Sequence, residues 1–210
     1  MIRVILVDDH AMIRRGLRET LVEDSEIRVV GEADDYAGFR SLIRETRCDV
    51  LVLDVNLPGR NGIEVLGALH ELDEPPRVVV LSQYPEDQYG IRALKAGAMA
   101  YLNKRAAPAQ ILSAVKTVAR GKKFVTPEIA AALMDSVTDG QSETPHDKLS
   151  EREMQTLLLI ARGHKLAAIA EQLAIAAKTV SAYRARVMEK LQLHSNAEIA
   201  GYAIRQKLID

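Results

Sequence analysis

The sequence is poor in the features that mark secreted and membrane proteins. Cys48 is the single cysteine, so an intrachain disulfide is excluded and a reducing compartment such as the cytoplasm is favoured. No apolar run approaches the ~20 residues that a membrane-spanning helix requires. The N-terminal stretch reaches Asp8 and Asp9 before it could form the apolar core of a signal peptide. We therefore expect a cytoplasmic protein with no membrane association.

The sequence also lacks a strong excess of charge of one sign. Its 28 basic and 29 acidic side chains nearly cancel, yet they are unevenly distributed. Residues 125–148 carry one basic and five acidic side chains, whereas residues 149–210 carry nine basic and six acidic ones, a net charge of +3. This small excess permits nucleic-acid binding but does not establish it, because charged runs are commonly only solvated surface.

The chain instead shows a repeated alternation of short apolar runs and amphipathic stretches over its first half. The apolar runs are Val4–Val7, Val29–Gly31, Val50–Leu53, Val78–Leu81 and Ala100–Leu102. Stretches with helical spacing lie between them, which indicates βα units and a parallel sheet with helices on both faces. In such a sheet the functional site lies at the carboxyl ends of the strands.

The pattern divides the chain into three parts. They are an α/β domain over residues 1–124, a connecting segment over residues 125–148 and a small helical domain over residues 149–210. Within the connecting segment, one short helix is predicted from Pro127 to about Met134. Residues 136–148 are polar and acidic with Gly and Pro, which predicts a flexible linker.

Charged and polar side chains follow the ends of four predicted strands. Asp8 and Asp9 follow the first strand, Asp54 ends the third, Ser82 ends the fourth and Lys104 follows the fifth. We therefore expect all five side chains to meet at one edge of the sheet. Three carboxylates in one crevice need a compensating cation, and oxygen ligands favour Mg²⁺. The Asp54 carboxylate could then attack a phosphorus centre, although each residue taken singly also fits a cap, a turn or a solvated surface.

These residues stand in motifs that resemble the receiver domain of two-component response regulators. The motifs are Val7-Asp8-Asp9-His10, Leu53 to Gly59, Asn61-Gly62, Leu81-Ser82 and Tyr101 to Lys104. The resemblance covers residues 2 to about 122 and implies a flavodoxin-like domain of five βα units. It implies that Asp54 is the phosphoacceptor. It also implies that Mg²⁺ is held by Asp8, Asp9, Asp54 and the backbone carbonyl of Asn56.

The same resemblance implies which residues respond to phosphorylation. Ser82 and Lys104 sense the phosphate, and Tyr101 matches an aromatic residue that rotates when the serine moves; a packed or interfacial tyrosine is the alternative. Phosphorylation adds about −1.5 to −2 charges, so Ser82 and Tyr101 suit a two-state switch. A sensor histidine kinase is the implied phosphodonor. Pro58, with Gly59 and Gly62 after it, suits a turn and a close helix approach.

Residues 149–210 show only helical periodicity. Capping-box spacings mark the first and fourth helices, at Ser150 with Glu153 and at Ser195 with Glu198. A second apolar helix runs from Leu166 to Leu173, and a third, basic helix runs to Leu191. Four short helices in so short a segment predict a small all-α domain.

This segment resembles the LuxR-type helix-turn-helix domain of the NarL/FixJ family. The motifs are Leu149-Ser150-x-Arg152-Glu153, Ala161-x-Gly163, Ile169-Ala170-x-x-Leu173, Lys178-Thr179-Val180 and Lys190-Leu191. The resemblance implies a recognition helix of about Lys178–Leu191 in the major groove of double-stranded DNA. The implied base contacts are Ser181, Ala182 and Ala185. The implied backbone contacts are Lys178, Thr179, Arg184 and Arg186, with Lys190 adding positive charge; ordinary surface charges are the alternative for the arginines.

The chain departs from this family at two helix starts. Members usually begin the second helix with Ser-Asn-Lys/Arg-Glu, where this chain has Lys165 to Ala168. They usually cap the recognition helix with Ser, where this chain has Ala176. Both N-caps are therefore predicted to be lost, each at a cost of ~0.5–2 kcal/mol. We expect weaker or more phosphorylation-dependent DNA contact as a result. Tyr183 stands where the family often has His.

Three functions fit these patterns. The leading hypothesis is a transcription regulator, not an enzyme, that forms a homodimer and binds DNA when Asp54 is phosphorylated. Ile199, Tyr202 and Ile204 are a candidate dimer surface, with core packing as the alternative. The second hypothesis keeps the receiver as a protein-interaction module with weakened or lost DNA binding. A metal-dependent phosphatase or phosphotransferase is disfavoured, because no second acid follows Asp54 at a suitable spacing.

Overall fold

The computed structural model describes residues 1–57, 62–69, 72–138, 144–206 and 208–209. The chain divides into two compact units, Met1–Val137 and Thr138–Asp210. Among the described residues, every helix is too short or too polar to cross a bilayer.

The first unit is built on a five-stranded parallel sheet. Its strands are β1 (Ile2–Val7), β2 (Ile27–Ala33), β3 (Val50–Asp54), β4 (Arg77–Ser82) and β5 (Ala100–Asn103). All five strands were predicted, and each extends beyond its apolar run at one end or both. The strand order is β2-β1-β3-β4-β5, so the order reverses between β1 and β3. That switch point is where ligand sites form in such sheets, and it lies beside the ends of the strands that lead to Asp8 and Asp54.

Helices connect the strands and bury the sheet. They are α1 (Ala11–Val22), α2 (Tyr36–Glu45), α3 (Gly62–Leu69), α4 (Glu86–Lys95), α5 (Pro108–Ala119) and α6 (Pro127–Thr138). The strands contribute β-branched and leucine side chains to a core that α1 and α5 cover on one face; the strand residues are Val4, Leu6, Val50, Val52, Val79 and Leu81. Burial of each such side chain stabilises the fold by ~1.5–3 kcal/mol relative to exposure. This core therefore fixes the positions of the strand ends.

Helix α6 packs against α4. Ile129 is fully buried, and its side chain lies so close to Gly90 that a Cβ at that position would overlap it. Thr126 precedes the helix and is also buried. The helix predicted from Pro127 therefore exists, but it runs four residues beyond Met134, to Thr138.

The second unit consists of a short 3-10 helix, Pro145–Lys148, followed by four α-helices. These are α7 (Glu151–Ala161), α8 (Leu166–Gln172), α9 (Ala177–Leu191) and α10 (Asn196–Arg205), so the predicted all-α domain is confirmed. Its core contains one or more apolar side chains from each helix, including Leu157, Ile169, Val180, Val187 and Ile199. Of the candidate dimer surface on α10, Ile199 and Tyr202 are buried and Ile204 is 56% exposed.

Part of the flexible linker predicted over residues 136–148 is helical, because α6 extends to Thr138 and a 3-10 helix covers Pro145–Lys148. Residues 139–143 lie outside the described part of the chain. Thr144 forms a capping box with Asp147 at the start of the 3-10 helix. His146 then contacts α10, its Nδ1 lying 2.9 Å from the Tyr202 hydroxyl. The residues Thr144, Pro145 and Asp147 have the sequence signature of a capped helix start. The linker prediction relied on polar composition and did not use this signature.

Candidate functional site

The site is formed where β1, β3 and β5 end. The Asp8 and Asp54 side chains are almost completely buried. The Lys104 side chain, 5% exposed, reaches both: its Nζ lies 2.6 Å from Asp8 Oδ2 and 2.7 Å from Asp54 Oδ2. The sheet thus brings together a lysine and two aspartates that are far apart in sequence, as the strand-end argument predicted.

These two carboxylates belong to an acidic cluster that could hold a cation. One ligand atom from each of Asp8, Asp9, His10 and Asp54 lies within 4.8 Å of the others. The Asp9 side chain is 31% exposed, so the cluster has an open side. The Asn56 backbone N–H donates a hydrogen bond to Asp54 Oδ1 at 3.0 Å, which places the Asn56 main chain next to the same carboxylate.

The electrostatics of the site leave negative charge in excess. Burial raises the pKa of Asp54 to about 6, although the adjacent Lys104 ammonium lowers it; the charge of Asp8 raises it further. One ammonium faces two buried carboxylates and the more exposed Asp9. A bound cation would relieve this imbalance, because an opposite charge within a few ångströms favours the ionised carboxylate.

The predicted switch residues share one partner, Tyr84. The Ser82 Oγ accepts a hydrogen bond from the Tyr84 N–H at 3.1 Å. The buried Tyr101 hydroxyl donates to the Tyr84 carbonyl at 3.2 Å. The Ser82 carbonyl in turn accepts from the Lys104 N–H at 2.7 Å. Tyr84, in the loop after β4, is therefore bonded to Ser82 and Tyr101, and Ser82 is bonded in turn to Lys104.

Hydrogen bonds continue from this loop to α6, through residues that the sequence did not single out. Asn103 Nδ2 donates to the Tyr84 carbonyl at 3.2 Å, and the Asn103 N–H donates to Glu86 Oε1 at 2.8 Å. Thr126 Oγ1 donates to Glu86 Oε2 at 2.5 Å. Glu86 therefore links the end of β5 to the start of α6. The sequence carries no local signal for contacts between residues so far apart.

Gly62 allows the start of α3 to lie against the end of β3. A Cβ at Gly62 would overlap the Asp54 carbonyl oxygen and the Val55 Cα, and the Gly62 N–H donates to the Val55 carbonyl at 2.8 Å. The predicted close approach at Gly62 is confirmed. Pro58, Gly59 and Asn61, which belong to the same predicted turn, lie outside the described residues.

In the second unit, α9 presents most of the candidate DNA contacts to solvent. The exposed ones are Lys178, Ser181, Ala182, Ala185, Arg186 and Lys190, and the half-buried ones are Thr179 and Arg184. Val180 and Val187 lie on the opposite, buried face. The helix is thus amphipathic with its small and basic residues outward.

Three of these side chains already have partners within the unit. Arg184 Nε donates to Asn196 Oδ1 at 2.6 Å. Lys190 Nζ lies 2.6 Å from Glu153 Oε2. The Ser181 hydroxyl donates to the carbonyl of Ala177 at 3.0 Å. These contacts give Arg184 and Lys190 a structural role that the sequence did not indicate.

The helix caps follow the sequence prediction. Ser150 and Glu153 form the reciprocal capping box of α7, and Ser195 accepts from the Glu198 N–H at 3.1 Å at the start of α10. The N-cap residues of α8 and α9 are Lys165 and Ala176, and neither makes a side-chain capping hydrogen bond. The loss of both caps in the helix-turn-helix is therefore confirmed.

Comparison with known proteins matches both units. Residues 4–116 match the family model described as response regulator receiver domain, and residues 147–203 match the one described as bacterial regulatory proteins, luxR family. The chain belongs to the response regulator family. It is a two-component response regulator with a receiver domain and a LuxR-type DNA-binding domain, and its function is the regulation of transcription.

Full-length relatives support this assignment. The response regulator GacA of Pseudomonas aeruginosa is 37% identical over 100% of this chain and 99% of its own length. The response regulator UvrY of Escherichia coli K12 is 35% identical over 99% of this chain and 96% of its own. The solved structure of RcsB from Salmonella enterica serovar Typhimurium, bound to promoter rprA in the presence of the phosphomimetic BeF3⁻, has a TM-score of 0.65 at 22% identity, covering 96% and 97% of the two chains. At that identity the likeness to RcsB is one of fold.

Proposed function

We propose that Asp54 of this response regulator accepts a phosphoryl group from a phosphohistidine of a sensor kinase. The phosphorylated protein then forms a homodimer that binds double-stranded DNA through α9. The observation that supports this best is the buried Asp54 carboxylate, 2.7 Å from Lys104 Nζ and beside the carboxylates of Asp8 and Asp9. The single cysteine suits action in the reducing cytoplasm.

Mg²⁺ fits the acidic cluster by its chemistry. The donor set is dominated by carboxylate oxygens, the ligands that Mg²⁺ prefers, and the cluster is open on the side of Asp9. Asp8, Asp9, Asp54 and the backbone carbonyl of Asn56 are the proposed ligands. When bound there, the ion would neutralise charge on the phosphoryl oxygens during transfer.

The residues of the chain supply the rest of the reaction. An Asp54 carboxylate oxygen forms the new O–P bond while the P–N bond to the kinase histidine breaks, and the imidazole leaves with the electron pair. Lys104, now beside both carboxylates, is placed to pair with the transferred phosphoryl group. Ser82 is placed to give up its bond from the Tyr84 N–H and donate to the phosphate, with Tyr101 responding through their shared partner.

Lys178, Thr179 and Arg186 are proposed as phosphate contacts of α9, and Ser181, Ala182 and Ala185 as base contacts. Arg184 remains a candidate for phosphate contact only if it gives up Asn196, and Lys190 only if it gives up Glu153 and the Lys148 carbonyl. We expect DNA affinity to depend on salt, because each phosphate that a basic side chain neutralises releases counterions.

The first test is intact-mass spectrometry after incubation with Mg²⁺ and a small acyl phosphate. The native protein is expected to gain one phosphoryl group, and Asp54→Asn none. Asp73→Asn, a substitution at an exposed aspartate of the same unit, serves as the matched control and is expected to behave like the native protein. Gel filtration of the same samples tests dimer formation. No adduct on the native protein would overturn the proposal.

A receiver-based protein-interaction regulator without DNA binding is the second candidate. The missing caps of α8 and α9 and the internal partners of Arg184 and Lys190 favour it. Duplexes selected from a random library by the phosphorylated protein distinguish the two candidates. A regulator of transcription is expected to bind a selected duplex. The slope of log affinity against log salt concentration is then expected to become shallower by about 1 in Lys178→Ala and in Arg186→Ala. Selection of no duplex supports the second candidate.

An enzyme that turns over small phosphoesters is a weaker alternative. No second acid stands at a suitable spacing beyond Asp54, and the proposed chemistry ends with a phosphorylated protein. Stoichiometric uptake of one phosphoryl group fits a regulator, whereas multiple turnover of a soluble phosphoester would support the enzyme.

A further inference from the structure

His10 stands in the acidic cluster with no role in the proposed phosphoryl transfer. Its Nδ1 lies 2.6 Å from Asp9 Oδ1 and 3.4 Å from Asp8 Oδ1. We infer that His10 is a positioning residue that holds the Asp9 carboxylate in the orientation needed to bind the cation. The inference rests on the proposed Mg²⁺ site and assigns to it a residue outside its set of ligands.

The three carboxylates of the cluster are not held equally well. Asp54 contacts Lys104 and accepts from the Asn56 N–H. Asp8 contacts Lys104 and accepts from the His10 N–H at 2.8 Å. Both are buried, whereas the Asp9 side chain is 31% exposed. Within the described part of the chain, the His10 imidazole is the one polar group that contacts the Asp9 carboxylate.

An exposed carboxylate without a partner samples several rotamers, so a ligand built from it loses conformational entropy when the cation binds. The contact with His10 Nδ1 fixes one oxygen of Asp9 before binding and leaves the second oxygen available to the cation. Groups that hydrogen-bond to metal ligands commonly change metal affinity by 10–100-fold when removed. Because the His10 side chain is 46% exposed, we expect the lower end of that range.

The geometry favours a positioning role over direct ligation. The nitrogen that faces the cluster is Nδ1, which lies 2.6 Å from Asp9 Oδ1. A ring nitrogen that carries a proton toward this carboxylate has no lone pair to offer a cation. His10 therefore acts on the cation through Asp9.

The test is a Mg²⁺ titration of the full-length, unphosphorylated protein, followed by backbone amide chemical shifts at one fixed pH. His10→Ala is expected to weaken Mg²⁺ binding roughly 10-fold. His10→Asn is expected to restore most of the affinity, because the asparagine amide nitrogen can occupy the place of Nδ1. Met12→Ala, at an 89% exposed position of α1, is the matched control and is expected to leave affinity unchanged. Equal affinity of His10→Ala and native protein would overturn the inference.

A second readout separates positioning from ligation. Mn²⁺ replaces Mg²⁺, and electron spin echo modulation reports whether a nitrogen is bound to the metal. Positioning predicts no modulation from a coordinated imidazole nitrogen, and its presence would overturn the inference. Since His10 immediately precedes α1, thermal unfolding of each variant without metal shows whether a change in affinity merely follows a change in stability.

Failure of this inference can be told apart from failure of the proposed function. Native protein that binds no Mg²⁺ overturns both the proposed cation site and the role of His10. Native protein that binds Mg²⁺ and takes up one phosphoryl group, with unchanged affinity in His10→Ala, overturns only the role of His10.

Discussion

Two lysines, one in each unit, make ion pairs of the same length in different surroundings. Lys104 Nζ and Lys190 Nζ each lie 2.6 Å from a carboxylate oxygen. The Lys104 side chain is 5% exposed and faces two buried aspartates. The Lys190 side chain is 38% exposed and faces one buried carboxylate, Glu153, and the Lys148 carbonyl. Because the distances are equal, burial and the number of carboxylates determine how much each lysine contributes to the free energy of unfolding. In the receiver site the lysine and both aspartates are buried, whereas the α9 pair joins a partly exposed lysine to one buried glutamate.

Replacing each lysine with alanine tests this difference and is the largest effect we expect. Lys104→Ala leaves two buried carboxylates uncompensated and is expected to cost about 3–5 kcal/mol of unfolding free energy without metal. Lys190→Ala is expected to cost about 1–2 kcal/mol, since Glu153 keeps its bond from the Ser150 N–H. Urea unfolding with hydrogen exchange resolved by unit measures both losses. Equal losses would show that burial does not separate the two pairs.

The raised pKa of Asp54 predicts a pH dependence peculiar to the receiver. Burial places this pKa at about 6, above the ~3.9 of an unfolded aspartate. Between those values the folded protein holds a proton that the unfolded chain has lost, so stability falls as pH rises from about 4 to 6 and then levels off. The two pKa values imply a loss on the order of 3 kcal/mol.

Asp54→Asn removes this titration and is therefore expected to be more stable than the native protein at pH 7.5 in the absence of metal, with the difference vanishing near pH 4. Urea unfolding in a chelating buffer across this range is the measurement, and Asp73→Asn is the control. A variant no more stable than the native protein at pH 7.5 would contradict the excess of buried negative charge.

Two glycines of α3 offer a smaller and more local comparison. Gly62→Ala is expected to cost about 1–3 kcal/mol, because the added methyl overlaps backbone atoms at Asp54 and Val55. Gly67 has no atom within reach of an added Cβ, so Gly67→Ala is expected to stabilise the receiver by roughly 0.5–1 kcal/mol through helix propensity. Thermal unfolding measures both. Two changes of the same sign would show that the close approach at Gly62 does not control its tolerance.

The two sites also differ in how far the sequence could predict them. Asp8, Asp9, Asp54, Ser82 and Lys104 were predicted together because parallel strands end at one edge of a sheet. Cap losses at α8 and α9 were predictable because capping depends on residues within one turn. The contacts of His10 and Glu86 were not predictable, because side-chain packing determines which of many polar residues each one meets.

The recognition surface was predicted less completely than the receiver site for the same reason. The basic, helical stretch that became α9 was visible, but Arg184 could not be assigned to Asn196, nor Lys190 to Glu153, from spacing alone. Those pairs depend on how α7, α9 and α10 pack against each other. Ala182 and Ala185 differ from these two residues, because both are exposed and have no polar side-chain atom that could bond within the unit.

The last comparison concerns the missing cap of α9. Ala176→Ser gives the first turn a hydroxyl that can accept from an unpaired backbone N–H, and it is expected to stabilise the second unit by about 1 kcal/mol. Ala185→Ser, the same change in the exposed middle of α9, is expected to cost a few tenths of a kcal/mol through helix propensity. Thermal unfolding of the second unit and affinity for a selected duplex are the two measurements. Higher stability with unchanged affinity would mean that the lost cap weakens the helix but not its contact with DNA, and that the two consequences drawn from Ala176 are separate.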